Sequence, residues 1–111
     1  MVYNVIITTS AMKKLESYIQ YTMYVLRNKE AAKEIRNDAK ATKKVLADLA
    51  SINPVCEHPI LKQYGYRKQF FLKHKFIMIY RIDGSNAIVE GMYHELQDYE
   101  SLFIPDINFS N

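Results

Sequence analysis

The sequence predicts a single α+β domain, and three observations predict it. A β-branched, aromatic run opens the chain. Two stretches follow with apolar residues every three to four positions, and the C-terminal half carries three short β-like runs separated by turn signals. The expected architecture is an N-terminal strand, an antiparallel two-helix hairpin, and an antiparallel sheet completed by a C-terminal three-stranded meander. The hairpin packs on one face of that sheet, and the other face, with the end of the last strand, forms a groove.

Tyr3 to Thr8 suit a pleated surface and read as the first strand. Ser10 then offers a side-chain acceptor to cap a helix whose buried stripe is Met12, Leu15, Tyr18, Ile19, Thr22 and Leu26. Asn28 offers the next cap. Ile35, Ala39, Thr42, Leu46 and Leu49 continue from it in steps of three and four. The short junction makes the two helices an antiparallel hairpin. Pro54 and Pro59 stop the second helix near Ile52, because proline disfavours helical geometry in the residue before it. A loop is expected from Asn53 to about Gly65.

Tyr66 to Leu72, Lys75 to Ile82 and Ala87 to His94 read as strands, separated by Lys73-His74 and by Asp83-Gly84-Ser85-Asn86. The middle run is apolar on both alternating faces and belongs near the sheet centre. Asp98 to Ile104 reads as a short helical turn, and residues 105–111 as a polar tail. Met12, Met23, Met78 and Met92 are read as core filling. Tyr21 and Tyr24 are the better candidates for contact with another chain.

At 49% hydrophobic and 24% charged residues the chain is far from a disordered composition. One domain, residues 1–111, accounts for its length. A net charge of +3 permits a polyanionic partner without requiring one. The single Cys56 has no disulfide partner within the chain, which suits a reducing compartment. The apolar start is too short for a signal-peptide core or a membrane span, so a cytoplasmic protein is expected, with no membrane partner. No metal-ligand spacing, phosphate-cradling glycine loop or nucleophile motif is present, so neither a metal nor a cofactor is expected. Lys33, Arg36, Lys40, Lys43 and Lys44 make a basic stripe on the second helix. It reads as a solvated face because Glu34, Asp38 and Asp48 are interleaved with it.

The order of elements resembles the RelE/ParE toxin superfamily over the whole chain except its tail. Tyr18-Ile19-x-Tyr21 followed by Asn28-Lys29-Glu30-Ala31-Ala32 is similar to the helical hairpin of the ParE branch. Tyr66-Arg67, Ile79-Tyr80-Arg81-Ile82-Asp83, and His94 with Gln97-Asp98-Tyr99 lie where the superfamily carries its signature. The resemblance implies a growth-inhibiting toxin of a bacterial type II toxin–antitoxin system. It also implies a cognate antitoxin that folds an extended or helical segment onto the toxin, in a hetero-oligomer or beside a toxin homodimer.

In the RelE-like branch the resemblance implies ribosome-dependent cleavage of messenger RNA. Arg67 would meet phosphate charge, while His94 and Tyr99 would move protons or stack on a base, with Lys68, Lys75 and Arg81 as nucleic-acid contacts. Two positions depart from that pattern. Ile77 and Glu95 stand where ribonuclease members carry Arg, and a carboxylate at 95 repels phosphate. Lys75 and Arg81 share the strand face of Ile77 and would have to compensate. The ParE-like branch, which is implied to poison DNA gyrase, tolerates these losses, and the departures favour it. A toxin fold that serves as a non-toxic binding module is the remaining alternative.

Overall fold

We describe residues 1–106 in a computed structural model of the chain. The elements are β1 (Asn4–Ile7), α1 (Thr9–Gln20), α2 (Lys29–Leu49), α3 (Pro59–Gln63), β2 (Arg67–Phe70), β3 (Phe76–Asp83), β4 (Asn86–His94) and α4 (Tyr99–Phe103). A π-helical turn, Tyr21–Val25, extends α1, and a 3-10 turn, Ile104–Asp106, follows α4. Pro105 of the expected tail therefore sits in a helical turn, and the remainder of that tail, 107–111, lies outside the described residues.

Thr8, and not Ser10, caps α1: its hydroxyl accepts the Ala11 N–H at 3.2 Å. The helix thus starts two residues earlier, and its buried stripe is Ala11, Leu15, Ile19 and Thr22. Met12 and Leu26, expected inside, are 38% and 58% exposed. The Thr22 hydroxyl bonds back to the Tyr18 carbonyl at 2.9 Å, and such a bond competes with the helical ladder. There the helix widens to a π turn, closed by Leu26 N–H on the Tyr21 carbonyl, and Arg27 takes a left-handed φ of 51°. The turn leaves Tyr21 and Tyr24 exposed at the hairpin tip. Asn28 caps α2 as its sequence position predicts, accepting from Ala31 N–H at 3.0 Å.

The sheet order is β1-β4-β3-β2. The meander is antiparallel, but β1 pairs parallel with β4, so the sheet is mixed rather than wholly antiparallel. Strands β2 and β4 are separated by two reversals and share one direction, and β1 runs with them. Both β3 and β4 are interior strands. Alternation puts Phe76, Met78 and Tyr80 of β3 under the helical hairpin, in a core with Leu15, Ile19, Ile35, Leu46, Val89 and Met92.

The opposite face departs most from expectation. Residues 53–65 do not form a plain loop: Val55 bridges Arg67 at the outer edge of β2, and α3 begins with Pro59 after the His58 cap. Together with α4 this segment covers the face. Cys56, Leu61, Tyr66, Ile77, Ile79, Tyr93 and Phe103 form a second buried layer there. Gly91 is what lets Phe103 in, since a Cβ at that position would lie 2.8 Å from the Phe103 ring.

Candidate functional site

The open groove expected opposite the hairpin is occupied by this second layer, and what remains is its polar rim. Ile77, which stands where the resemblance leads one to expect an arginine, is fully buried in the layer. A charged side chain at a fully buried position costs free energy unless it is paired. At the rim, Lys68 of β2 and Glu100 of α4 form an ion pair at 3.1 Å, with side chains only 11% and 13% exposed. Lys68 also lies 3.3 Å from the Tyr99 hydroxyl, and the second Glu100 oxygen accepts the His58 N–H at 2.7 Å. A solvent-open recess of about 410 Å³ lies beside them, bounded also by Glu57, Gln97 and Asp98.

The electrostatics of this rim are those of a closed polar joint. Burial acts to lower the Lys68 pKa, but the hydrogen bonds it donates to Glu100 and Tyr99 outweigh it and hold the ammonium above its ordinary range. Burial, reinforced by the Glu100 charge, pushes the Cys56 thiol up to about 12, so it is not a nucleophile near neutral pH. Further along the face, Glu90 accepts from Arg81 Nε at 2.7 Å and from the Tyr66 hydroxyl at 3.1 Å. Glu90 is the extra residue of a β-bulge, where the register jumps from Ile79↔Gly91 to Tyr80↔Val89. A bulge re-aims the side chain it carries, here across the face toward Arg81. Burial, with Glu90 beside it, raises the Tyr66 hydroxyl to about 12.

The three residues expected to catalyse are not brought together. Arg67 pairs with Tyr80 across the ladder and so points to the hairpin side, where its guanidinium donates to the Asn53 carbonyl. His94 pairs with Phe76, four residues further along β3, on the opposite flank of that strand. That is about 13 Å along the strand direction. Its ring packs edge-on to Phe76 at 5.2 Å, and its Nδ1 accepts the Leu96 N–H at 3.2 Å. Tyr99 lies on the other side of the sheet, with Lys68. Among the described residues no hydrogen bond or ring contact joins any two of Arg67, His94 and Tyr99. Lys75 is exposed at the start of β3, where its carbonyl accepts the Glu95 N–H. Lys75 precedes β3, and Arg81 is engaged by Glu90.

A second polar centre went unrecognised in the sequence. Asp38, read there as a surface charge diluting the basic stripe, is 4% exposed. Its carboxylate accepts the backbone N–H groups of Leu72, Lys73 and His74 at 3.2, 3.1 and 2.8 Å, and lies 2.7 Å from His74 Nδ1. A signal was present. Asp38 lies three residues after Ile35 and four before Thr42, on the apolar stripe of the helix, where a carboxylate needs partners.

The paired-helix layer, the β1-β4-β3-β2 strand order and the α-helical C-terminal turn together make an α+β fold of the ParE-like kind. No protein-family model matches the chain, and no curated protein matches it. Among solved structures it is similar to a chain described as "Chromosomal ParDE TA system from P. aeruginosa", with a TM-score of 0.68, 19% sequence identity, and coverage of 84% of this chain and 96% of that one. At that identity the likeness establishes the fold.

Proposed function

We propose that this chain is the toxin of a toxin–antitoxin pair, acting in the cytoplasm, restrained by a cognate antitoxin, and directed at DNA gyrase and not at messenger RNA. The fold shared with a chain of a ParDE system supports the toxin reading. The observation that carries the choice of target is the dispersal of Arg67, His94 and Tyr99 over separate parts of the sheet. Phosphodiester cleavage needs cationic and proton-transferring groups around one phosphate, and Arg67 is committed to holding the Asn53 carbonyl. The gyrase reading makes no such demand on these three residues.

Expressing the chain alone, without its neighbouring reading frames, tests this. Growth arrest with an induced DNA-damage response and intact transcripts is the expected result, as is full inhibition by His94→Ala. Cleaved transcripts would instead establish the ribonuclease reading. One observation favours that alternative: Lys68 and Tyr99 place a cation and a hydroxyl 3.3 Å apart beside an open recess. Unchanged growth would leave a binding module on a toxin fold.

A further inference from the structure

The three histidines of the chain hold their ring nitrogens differently. Nδ1 of His58 accepts the Ile60 N–H at 3.3 Å, and Nδ1 of His94 accepts the Leu96 N–H at 3.2 Å. A neutral imidazole that accepts at Nδ1 carries its proton on Nε2 and has no second lone pair to offer. His74 is the reverse. Its Nδ1 lies 2.7 Å from an Asp38 oxygen that already accepts the Lys73 and His74 backbone N–H groups, and an ionised carboxylate only accepts. The proton of that contact therefore sits on Nδ1, and neutral His74 carries its open lone pair on Nε2.

The His74 side chain is 26% exposed and borders a recess of about 500 Å³ whose wall also holds Glu34, Asn37 and Lys73. On α2, Glu34 stands four residues before Asp38 and three before Asn37. Residues so spaced are neighbours on one helix face, with Cβ atoms about 5–6 Å apart. The Glu34 carboxylate and the Asn37 amide oxygen therefore reach the same space as His74 Nε2. Among the described residues Glu34 has no ion-pair partner.

We propose that His74 Nε2, with Glu34 and Asn37, binds one divalent cation of the zinc class, and that Asp38 is the positioning residue that fixes the His74 ring. An imidazole nitrogen suits zinc, nickel or cobalt, whereas magnesium and calcium take oxygen ligands. A ligating histidine whose other ring N–H is held by a carboxylate is the usual outer shell of such a site. Among the described residues no three His, Cys, Asp or Glu side chains converge on one point. The set is accordingly one imidazole, one carboxylate and one amide oxygen, with water completing the coordination. Lys73 is the cation among the lining residues, and its flexible four-carbon stem lets the ammonium turn to solvent. A bound ion ties the β2–β3 turn to α2, the joint that Asp38 already makes. This site is separate from the Lys68 rim and does not depend on whether the chain inhibits growth.

The full-length protein is titrated with zinc chloride and, separately, with magnesium chloride, following heat of binding and the nitrogen resonances of the three imidazoles. Before metal is added, His74 is expected as the Nδ1–H tautomer, and His58 and His94 as Nε2–H. Zinc should then bind saturably at one ion per chain and shift the His74 Nε2 resonance, while magnesium does neither. Asp38→Asn should weaken zinc binding about 10–100-fold, as loss of an outer-shell partner does. His74→Ala and Glu34→Gln, which remove ligands themselves, should each weaken it by about tenfold or more. The proposal is overturned by the absence of saturable zinc binding, by equal binding of magnesium, or by spectra that put the His74 proton on Nε2. Zinc affinity unchanged in His74→Ala or Glu34→Gln overturns it too, since the signal then reports an adventitious ion only. Glu34 is exposed, so Glu34→Gln and the spectra of the unaltered protein decide the matter even where Asp38→Asn fails to fold.

Discussion

Asp38 holds the β2–β3 turn to α2, because three consecutive backbone N–H groups of that turn converge on its carboxylate. Replacing it by Ala orphans those donors, and removal of a buried, multiply bonded carboxylate should cost about 2–4 kcal/mol in urea unfolding. Its protonation behaviour follows from the same contacts. Burial acts to raise the pKa, but the bonds from the His74 ring and from the His74 and Lys73 backbone hold it below the ordinary 3.8. A lowered folded pKa means the contribution is complete above the unfolded value and is lost as pH falls through the folded one. The stability gap between wild type and Asp38→Asn should therefore be constant above about pH 5 and shrink below about pH 4, read as unfolding midpoints across that range. Tyr80 offers a simpler residue-scale test. Its buried hydroxyl donates to the Ala50 carbonyl at 2.6 Å, so Tyr80→Phe should cost about 1 kcal/mol.

At the scale of elements, the α2 start was legible down to its Asn28 cap, whereas the α1 cap was not. Thr8, Thr9 and Ser10 are all competent cap residues by type. The choice fell to Thr8 because its own N–H is held by the Val89 carbonyl of β4, which fixes where the strand ends. Thr8→Ala should accordingly cost about 1 kcal/mol and Ser10→Ala close to nothing, a difference that thermal melts resolve. The docking of α4 has its own test. Gly91→Ala places a methyl group within 3 Å of the Phe103 and Tyr93 rings. Overpacking of that kind should cost about 1–3 kcal/mol and speed hydrogen exchange in residues 99–103. That α4 forms at all was visible from Asp98 onward. That it lies against β4 was not, since nothing local to a five-residue helix states which surface it will cover.

For the whole molecule, the two layers on either side of one sheet set different limits. The hairpin layer depends on Asp38 at its edge, and the opposite layer on Lys68 with Glu100. The raised Lys68 pKa works in the reverse sense to Asp38. Its contribution is complete below the unfolded value of 10.5 and is lost as pH rises through the higher folded value. Undocking of α4, followed by exchange or limited proteolysis, should therefore appear above about pH 10.5 while the hairpin layer persists.

The sequence by itself determined the kinds of element, α3 excepted, and several of their limits, because helical periodicity, the Asn28 cap, the Asp83-Gly84 turn and the proline stops act within a few residues of one another. It also placed Ile77 and Arg81 on one strand face, a matter of parity alone. Tertiary structure decided what that face meets, whether β1 runs with or against β4, and where Arg67, His94 and Tyr99 end up. What that face meets depends on the path of residues 53–65, which close the β2 edge and help bury Ile77. That path is set by backbone groups seeking partners far away in the chain, a requirement no local pattern encodes.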